Sequence, residues 1–305
     1  MLKSSLFQDK PRLGIRPPAF GPKPPSTLPR SLFVASDRGR LTLAEFNQRF
    51  RQIPEQTAAL GVCEDGLPVL LNLNDRRGGP LLVTGDEGCG KTMLLKILVQ
   101  SALAHDPEQR VLFTVVASQK EDYFEIEQSG LETGQCLGVY EPEDEILETH
   151  LQQVVGLIEK RVQRKQAAPP LLVVVDGLEF LITARGEIRN LVELLLRSGM
   201  EAKIWLVAAL RTADCLEMGR WTRHFRTRLI GHMPNQAARR LSLFGGLDAE
   251  KLQAQQEFAT LAAGKWLIFR TPDATAGNDV GTENTLPETE EDTGEDDENW
   301  DVVVR

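Results

Sequence analysis

Long hydrophobic runs are missing from this chain of 305 residues. The longest cover about five to seven residues, such as Leu171 to Val175, where a membrane-spanning helix needs roughly 20. No membrane insertion is therefore expected. The first residues also lack the apolar stretch and small-residue cleavage site of a secretory signal. Cysteine is scarce and scattered: Cys63, Cys89, Cys136 and Cys215 form no metal-ligand pair. Four such thiols are expected to be reduced and mostly buried, in a cytoplasmic protein. Histidine is equally scarce, at four residues, and without a His/Cys cluster a zinc site is not expected. Basic residues number 35 against 44 acidic ones, a net charge of −9. That deficit is local. Residues 271–305 hold 12 acidic residues and 1 basic residue, a charge of −11, which leaves +2 on the remainder. The acidity belongs to a tail and does not argue against an anionic ligand for the body.

The two ends differ from the middle. Residues 1–30 carry seven of the 17 prolines and six basic residues against one acid. Pro17-Pro18 and Pro22-Lys23-Pro24-Pro25 cannot donate helix or central-strand hydrogen bonds. This reads as a disordered arm, either a solvated linker or a basic arm that touches nucleic acid or a partner protein. After about Pro272 the chain has almost no apolar content until Trp300, and disorder is expected there too. The tail is either solubilising or a competitor of DNA for a basic surface. If it competes, deleting residues 275–305 tightens DNA binding at low salt in a titration, and unchanged binding removes the idea.

Between the ends, periodicity predicts a short amphipathic helix over residues 41–53, with Leu43, Phe46 and Phe50 on one face and Thr42 as N-cap. A hairpin follows over 61–73, turning at Glu64-Asp65-Gly66. Buried strands are then expected at 80–84, 111–116, 171–175, 204–209 and 264–270. Helices are expected at 91–104, 143–165 and 187–196, with helical turns near 219–225 and 235–243. Continuous apolar strands alternating with helices imply a largely parallel sheet covered on both faces.

The most informative stretch is Gly85-Asp86-Glu87-Gly88-Cys89-Gly90-Lys91-Thr92, followed by Met93. It has the P-loop spacing, with a predicted strand entering and a helix leaving. Glycines let the backbone fold around an anion, and amides at the helix N-terminus point at phosphates. Lys91 is expected on the β- and γ-phosphates of ATP, and the Thr92 hydroxyl on Mg²⁺. Asp86 and Glu87 cost little if they face solvent. Cys89 reads as a small filler. A second half-site is expected at Asp176, an acid ending a buried strand and able to hold the metal. Hydrolysis also needs a carboxylate for the attacking water. The position after Asp176 is Gly177, which leaves Glu179 and Glu121 as candidates.

The order of these pieces resembles the DNA-pumping P-loop ATPases of the FtsK/SpoIIIE and HerA type, over residues 59–270. The resemblance rests on the hairpin leading into Pro80-Leu81-Leu82-Val83-Thr84-Gly85, and on Glu159-Lys160-Arg161 ahead of the Asp176 strand. It also rests on the stretch from Leu191 through Gly199 to the strand at 204–209, and on closing strands at 225–231 and 264–269. It implies an α/β, three-layer RecA-like P-loop NTPase with a mostly parallel sheet. A disordered basic Pro-rich arm, a lead-in segment over 31–58 and a disordered acidic tail flank this domain. Three positions depart from the family pattern. Asp176-Gly177 stands where the family has Asp-Glu, Ser118-Gln119-Lys120 where it has Asp-Pro-Lys, and Leu210-Arg211 near its sensor glutamine. Arg211 is the expected nucleotide sensor. The resemblance further implies a homo-oligomeric ring engaging double-stranded DNA; a non-hydrolysing switch or scaffold and a secretion or conjugation ATPase are the alternatives. In such a ring, Arg220, Arg223, Arg226, Arg228, Arg239 and Arg240 are candidates to complete a neighbour's site or to grip a DNA backbone. A solvated helix face is the plain alternative.

Overall fold

The computed structural model describes residues 40–164, 168–184, 186–242 and 245–273. The expected arm over 1–30 and the tail beyond 273 lie outside them.

The first elements are α1 (Leu43–Arg49), β1 (Thr57–Cys63), β2 (Pro68–Asn72), β3 (Leu81–Gly85), α2 (Lys91–Ala104) and β4 (Leu112–Ala117). Next come α3 (Phe124–Glu132), β5 (Cys136–Tyr140), α4 (Leu147–Arg164), β6 (Leu171–Asp176), α5 (Leu178–Thr183) and α6 (Ile188–Ser198). The last are β7 (Ile204–Arg211), α7 (Thr212–Glu217), α8 (Gly219–Thr222), β8 (Thr227–Ile230), α9 (Asn235–Ser242), β9 (Glu257–Ala262) and β10 (Lys265–Arg270).

The ten strands among the described residues form one sheet in the order β2-β1-β10-β9-β8-β3-β7-β6-β4-β5. The six from β8 to β5 are parallel, and the four on the other side are antiparallel. Residues along β6 alternate between the faces. Leu171, Val173 and Val175 join one buried cluster with α4 to α6, and Leu172 and Val174 join another with α2. Apolar faces on both sides explain why these strands are continuous apolar runs, and they make the domain three-layered.

Several boundaries differ from expectation for local reasons. Thr42 caps α1 in a capping box with Glu45. The helix nevertheless stops at Arg49, ahead of Pro54, which disfavours helical backbone before it. The helix expected from 143 starts at Leu147, because Asp144 accepts from the Glu141 amide at 2.8 Å and holds residues 141–144 in a turn. The hairpin begins earlier, at Thr57, with Gly66 at φ 80° in its turn. Among the described residues no helix is long and apolar enough to cross a membrane.

Candidate active site

The P-loop strand β3 and the Asp176 strand β6 are not neighbours, since β7 lies between them. Gly85 is in register with Arg211, and Ala209 with Asp176. Because β3, β7 and β6 are parallel, their C-terminal ends deliver the P-loop, Arg211 and Asp176 to one edge of the sheet. Binding sites on open α/β sheets form at that edge.

The loop from Gly85 to Gly90 is held from two sides. The Asp86 amide donates to the His232 carbonyl at 2.9 Å, just past β8. The Gln255 amide donates to the Cys89 carbonyl at 2.9 Å. Gly90 has φ +97°, and a Cβ there would lie 2.9 Å from the Gln255 Cα, so this glycine permits both the bend and the contact. Cys89 is buried, with its Sγ where a Cβ on Gly85 would fall, so it fills space beneath the loop. Burial pushes its thiol up, and the Cys215 thiol up to about 12, so both stay neutral. Glu87 is exposed, and the half-exposed Asp86 carboxylate lies 3.9 Å from His232 Nδ1.

The Lys91 ammonium donates to the Gly85 and Asp86 carbonyls at 3.1 and 2.8 Å, curled over the loop. Asp176 is mostly buried. Burial raises its carboxyl above the ordinary range, opposed by hydrogen bonds from Thr92 and Tyr123 and by the charge of Lys91. The Tyr123 hydroxyl donates to Asp176 Oδ2 at 3.1 Å. Thr92 thus lies near enough to Asp176 to influence its carboxyl, which gathers two hard oxygen donors in the neighbourhood of a lysine ammonium. This donor set fits Mg²⁺, which typically takes one or two carboxylates plus phosphate oxygens. Among the described residues there is no cluster of three or more acidic, His or Cys side chains able to hold a metal unaided.

Gly177 sets the position of Glu179. Its φ of +110° is left-handed, and a Cβ would meet the Phe180 ring at 2.6 Å. The chain therefore turns directly from β6 into α5 and places Glu179 in the first turn. Glu179 is only 7% exposed, and among the described residues its Oε2 has no hydrogen-bond partner. Arg211 Nε lies 3.3 Å from Glu179 Oε1 and 2.8 Å from Asp214 Oδ2. Burial raises the Glu179 carboxyl, as do the charges of Asp214 and Asp176; its own backbone amide and Arg211 oppose the rise. Glu121 is exposed. What the turn after β4 brings to Asp176 is Tyr123.

A cleft of about 490 Å³ opens beside the loop, with Gly88, Gly90, Lys91, Thr92 and Met93 in its lining. The arginine-rich stretch divides. Arg228 is half-buried and donates to the carbonyls of Thr222, Phe225 and Leu241, a structural role. Arg220 pairs with Glu193 and lies over the Trp221 ring. Arg223, Arg226, Arg239 and Arg240 are exposed. Tyr123, Asp214, Gln255 and Arg40 carry no local sequence signal; the fold brings them in from separate elements.

A family model described as "AAA domain" matches residues 74–216. That span runs from before β3 to α7 and includes Lys91, Asp176, Glu179 and Arg211. Over that span the chain is similar to AAA domains, and the sheet order and the loop give it an α/β fold of the RecA-like P-loop kind. No curated protein matches. Among solved structures the chain is similar to EccC (ATPases 2 and 3) of Thermomonospora curvata in complex with a signal sequence peptide. That similarity has 15% identity and a TM-score of 0.58, and covers 72% of this chain and 41% of that one. It is also similar to EssC (ATPases 2 and 3) from Geobacillus thermodenitrificans, at 11% identity and TM-score 0.61, covering 75% and 47%. The pCW3 conjugation coupling protein TcpA, in a monomer form with ATPγS, gives 16% identity and TM-score 0.57, covering 73% and 68%. At these identities the likeness concerns the fold. The chain spans less than half of the EccC and EssC chains it resembles.

Proposed function

We propose that this protein binds Mg-ATP at the P-loop and hydrolyses it, with Glu179 as the residue that orients and deprotonates the attacking water. The observation that carries this reading is the convergence of Lys91, the Thr92–Asp176 pair and the Arg211–Glu179 pair on one sheet edge. Loop amides and the Lys91 ammonium bind the phosphates. Thr92 and Asp176 would hold the Mg²⁺, which would neutralise phosphate charge when bound. Tyr123 fixes the Asp176 carboxylate by donating to it. Arg211 is the sensor. It reaches Glu179 and Asp214 from the strand beside the P-loop, so a γ-phosphate drawing on the guanidinium loosens its grip on Glu179.

Hydrolysis would drive a ring-forming motor of the FtsK/HerA kind acting on double-stranded DNA. The exposed Arg223, Arg226, Arg239 and Arg240 would serve a neighbouring subunit or the DNA backbone. A second reading, a secretion or conjugation ATPase, draws support from the likeness to EccC, EssC and TcpA. Turnover measured with and without duplex DNA, beside Lys91→Ala and Glu179→Ala, tests both. DNA-stimulated turnover lost in both variants supports the motor on DNA. Turnover indifferent to DNA favours the second reading. Tight ATP binding without turnover in any condition sinks hydrolysis and leaves a nucleotide switch. Lys91→Ala is expected to weaken Mg-ATP binding about 10- to 100-fold, the scale of one or two charge-assisted hydrogen bonds, measured by calorimetry.

A further inference from the structure

Beside the P-loop, the cleft has a second part of its lining, three of whose residues come from outside the family-matched span of residues 74–216. Arg40 and Asp273 come from the segments flanking the fold and Gln255 from the turn before β9, joined by Lys96 of α2 and Asp122. Two of these residues are held with unusual care. The Arg40 guanidinium donates through Nε to the Thr271 carbonyl at 2.9 Å. Through Nη2 it donates to the Gln255 carbonyl at 2.9 Å and to the Thr271 hydroxyl at 2.8 Å. Three bonds fix the plane of a cation that sits in the cleft lining. Gln255 has φ +64°, a left-handed backbone that a non-glycine residue adopts at a cost. It keeps this conformation while its amide holds the Cys89 carbonyl of the P-loop and its carbonyl holds Arg40. The exposed Gln255 side chain is carried on that strained turn.

A fixed guanidinium and an exposed glutamine thus stand at the rim of the phosphate loop. A triphosphate seated on the loop also leaves the rest of the nucleotide to be placed. We infer that Arg40 and Gln255 form the nucleoside subsite: the Arg40 plane stacks on the base and the Gln255 amide hydrogen-bonds the base edge or the ribose. The inference rests on the P-loop reading above and adds to it the residues that separate a nucleotide from a bare polyphosphate. Arginine suits the task because its guanidinium is planar and always charged, and it stacks on aromatic faces. The subsite also ties nucleotide binding to the segment that leads into α1, since the Leu43 amide and Asp273 carbonyl, and the Asp273 amide and Leu41 carbonyl, join the same two strands of chain at 2.9 and 2.7 Å.

Calorimetry on the full chain with Mg-ATP and with Mg-tripolyphosphate tests this. Wild-type protein is expected to prefer ATP. Arg40→Ala weakens ATP binding roughly tenfold while tripolyphosphate binding stays within about twofold, the scale of a stacked, partly desolvated cation. Arg40→Lys, which keeps the charge and loses the plane, falls with the alanine variant. Gln255→Gly retains the left-handed backbone, removes only the side chain and lowers the preference about threefold. It carries the test if the Arg40 variants do not fold. Equal losses for both ligands, or unchanged ATP binding in Arg40→Ala and Gln255→Gly, overturn the subsite and leave the phosphate site standing. A wild-type chain giving no heat with either ligand, or Lys91→Ala binding both as well as wild type, overturns the phosphate site and the subsite with it.

Discussion

Glu179→Gln is expected to lower kcat for ATP by about 10²- to 10⁴-fold, the usual worth of a positioned general base. Mg-ATP binding should stay within a few-fold of wild type. Glutamine keeps the size and the contact with Arg211 but cannot take a proton. The expectation stands on three features of the site. Glu179 is buried, its Oε2 is without a hydrogen-bond partner among the described residues, and its carboxyl is raised chiefly by burial. The charged groups facing it are Arg211 and Asp214 from β7 and α7 and Asp176 from β6. A base works when ionised. Wild-type kcat should therefore fall as pH drops through a value above the ordinary glutamate range, and this acid limb should vanish in Glu179→Gln. The same raised carboxyl means that the folded chain binds this proton more tightly than the unfolded one. Glu179 thus detracts from stability above its folded pKa, and that penalty is relieved as pH falls. Wild-type turnover retained in Glu179→Gln would remove Glu179 from catalysis.

How much of this could be read in advance depended on where the physics is local. The P-loop is legible because eight consecutive residues carry both the bend and the chemistry. β3, β4, β6 and β7 are legible because burial on both faces demands unbroken apolar runs. β5 escaped because Gly138, at φ +129°, interrupts its pattern. α3 escaped because only Ile126 and Gly130 of its nine residues are buried. β9 is a short antiparallel strand between a turn and β10, with no apolar run long enough to stand out. The site divides in the same way. Asp176 ends a strand and could be placed. Glu179 was only a candidate, because the left-handed turn at Gly177 that swings it back is a property of backbone angles rather than spacing. Tyr123 lies 53 residues from Asp176, and Arg40 lies 215 from Gln255. Only the tertiary fold sets such pairs.

That dependence on distant contacts gives the largest expected stability effect. Trp205 is fully buried on β7, in register with Leu172 of β6, and its indole N–H donates to the Leu73 carbonyl at 3.0 Å. The Leu73 amide in turn donates to the Gln56 carbonyl just before β1, and the Ala59 amide of β1 donates to Ser101 Oγ of α2 at 2.9 Å. One indole therefore joins the strand that carries Arg211 to the hairpin that packs on the P-loop helix. Trp205→Ala is expected to cost about 3–5 kcal/mol through the cavity it leaves. Trp205→Phe retains most of the apolar volume but strands a buried carbonyl, for about 1–3 kcal/mol. Urea unfolding should show the midpoint falling in that order with the slope unchanged, as for a change in native-state stability alone. A Trp205→Ala midpoint close to wild type would mean that the hairpin and the parallel sheet are not coupled through this side chain.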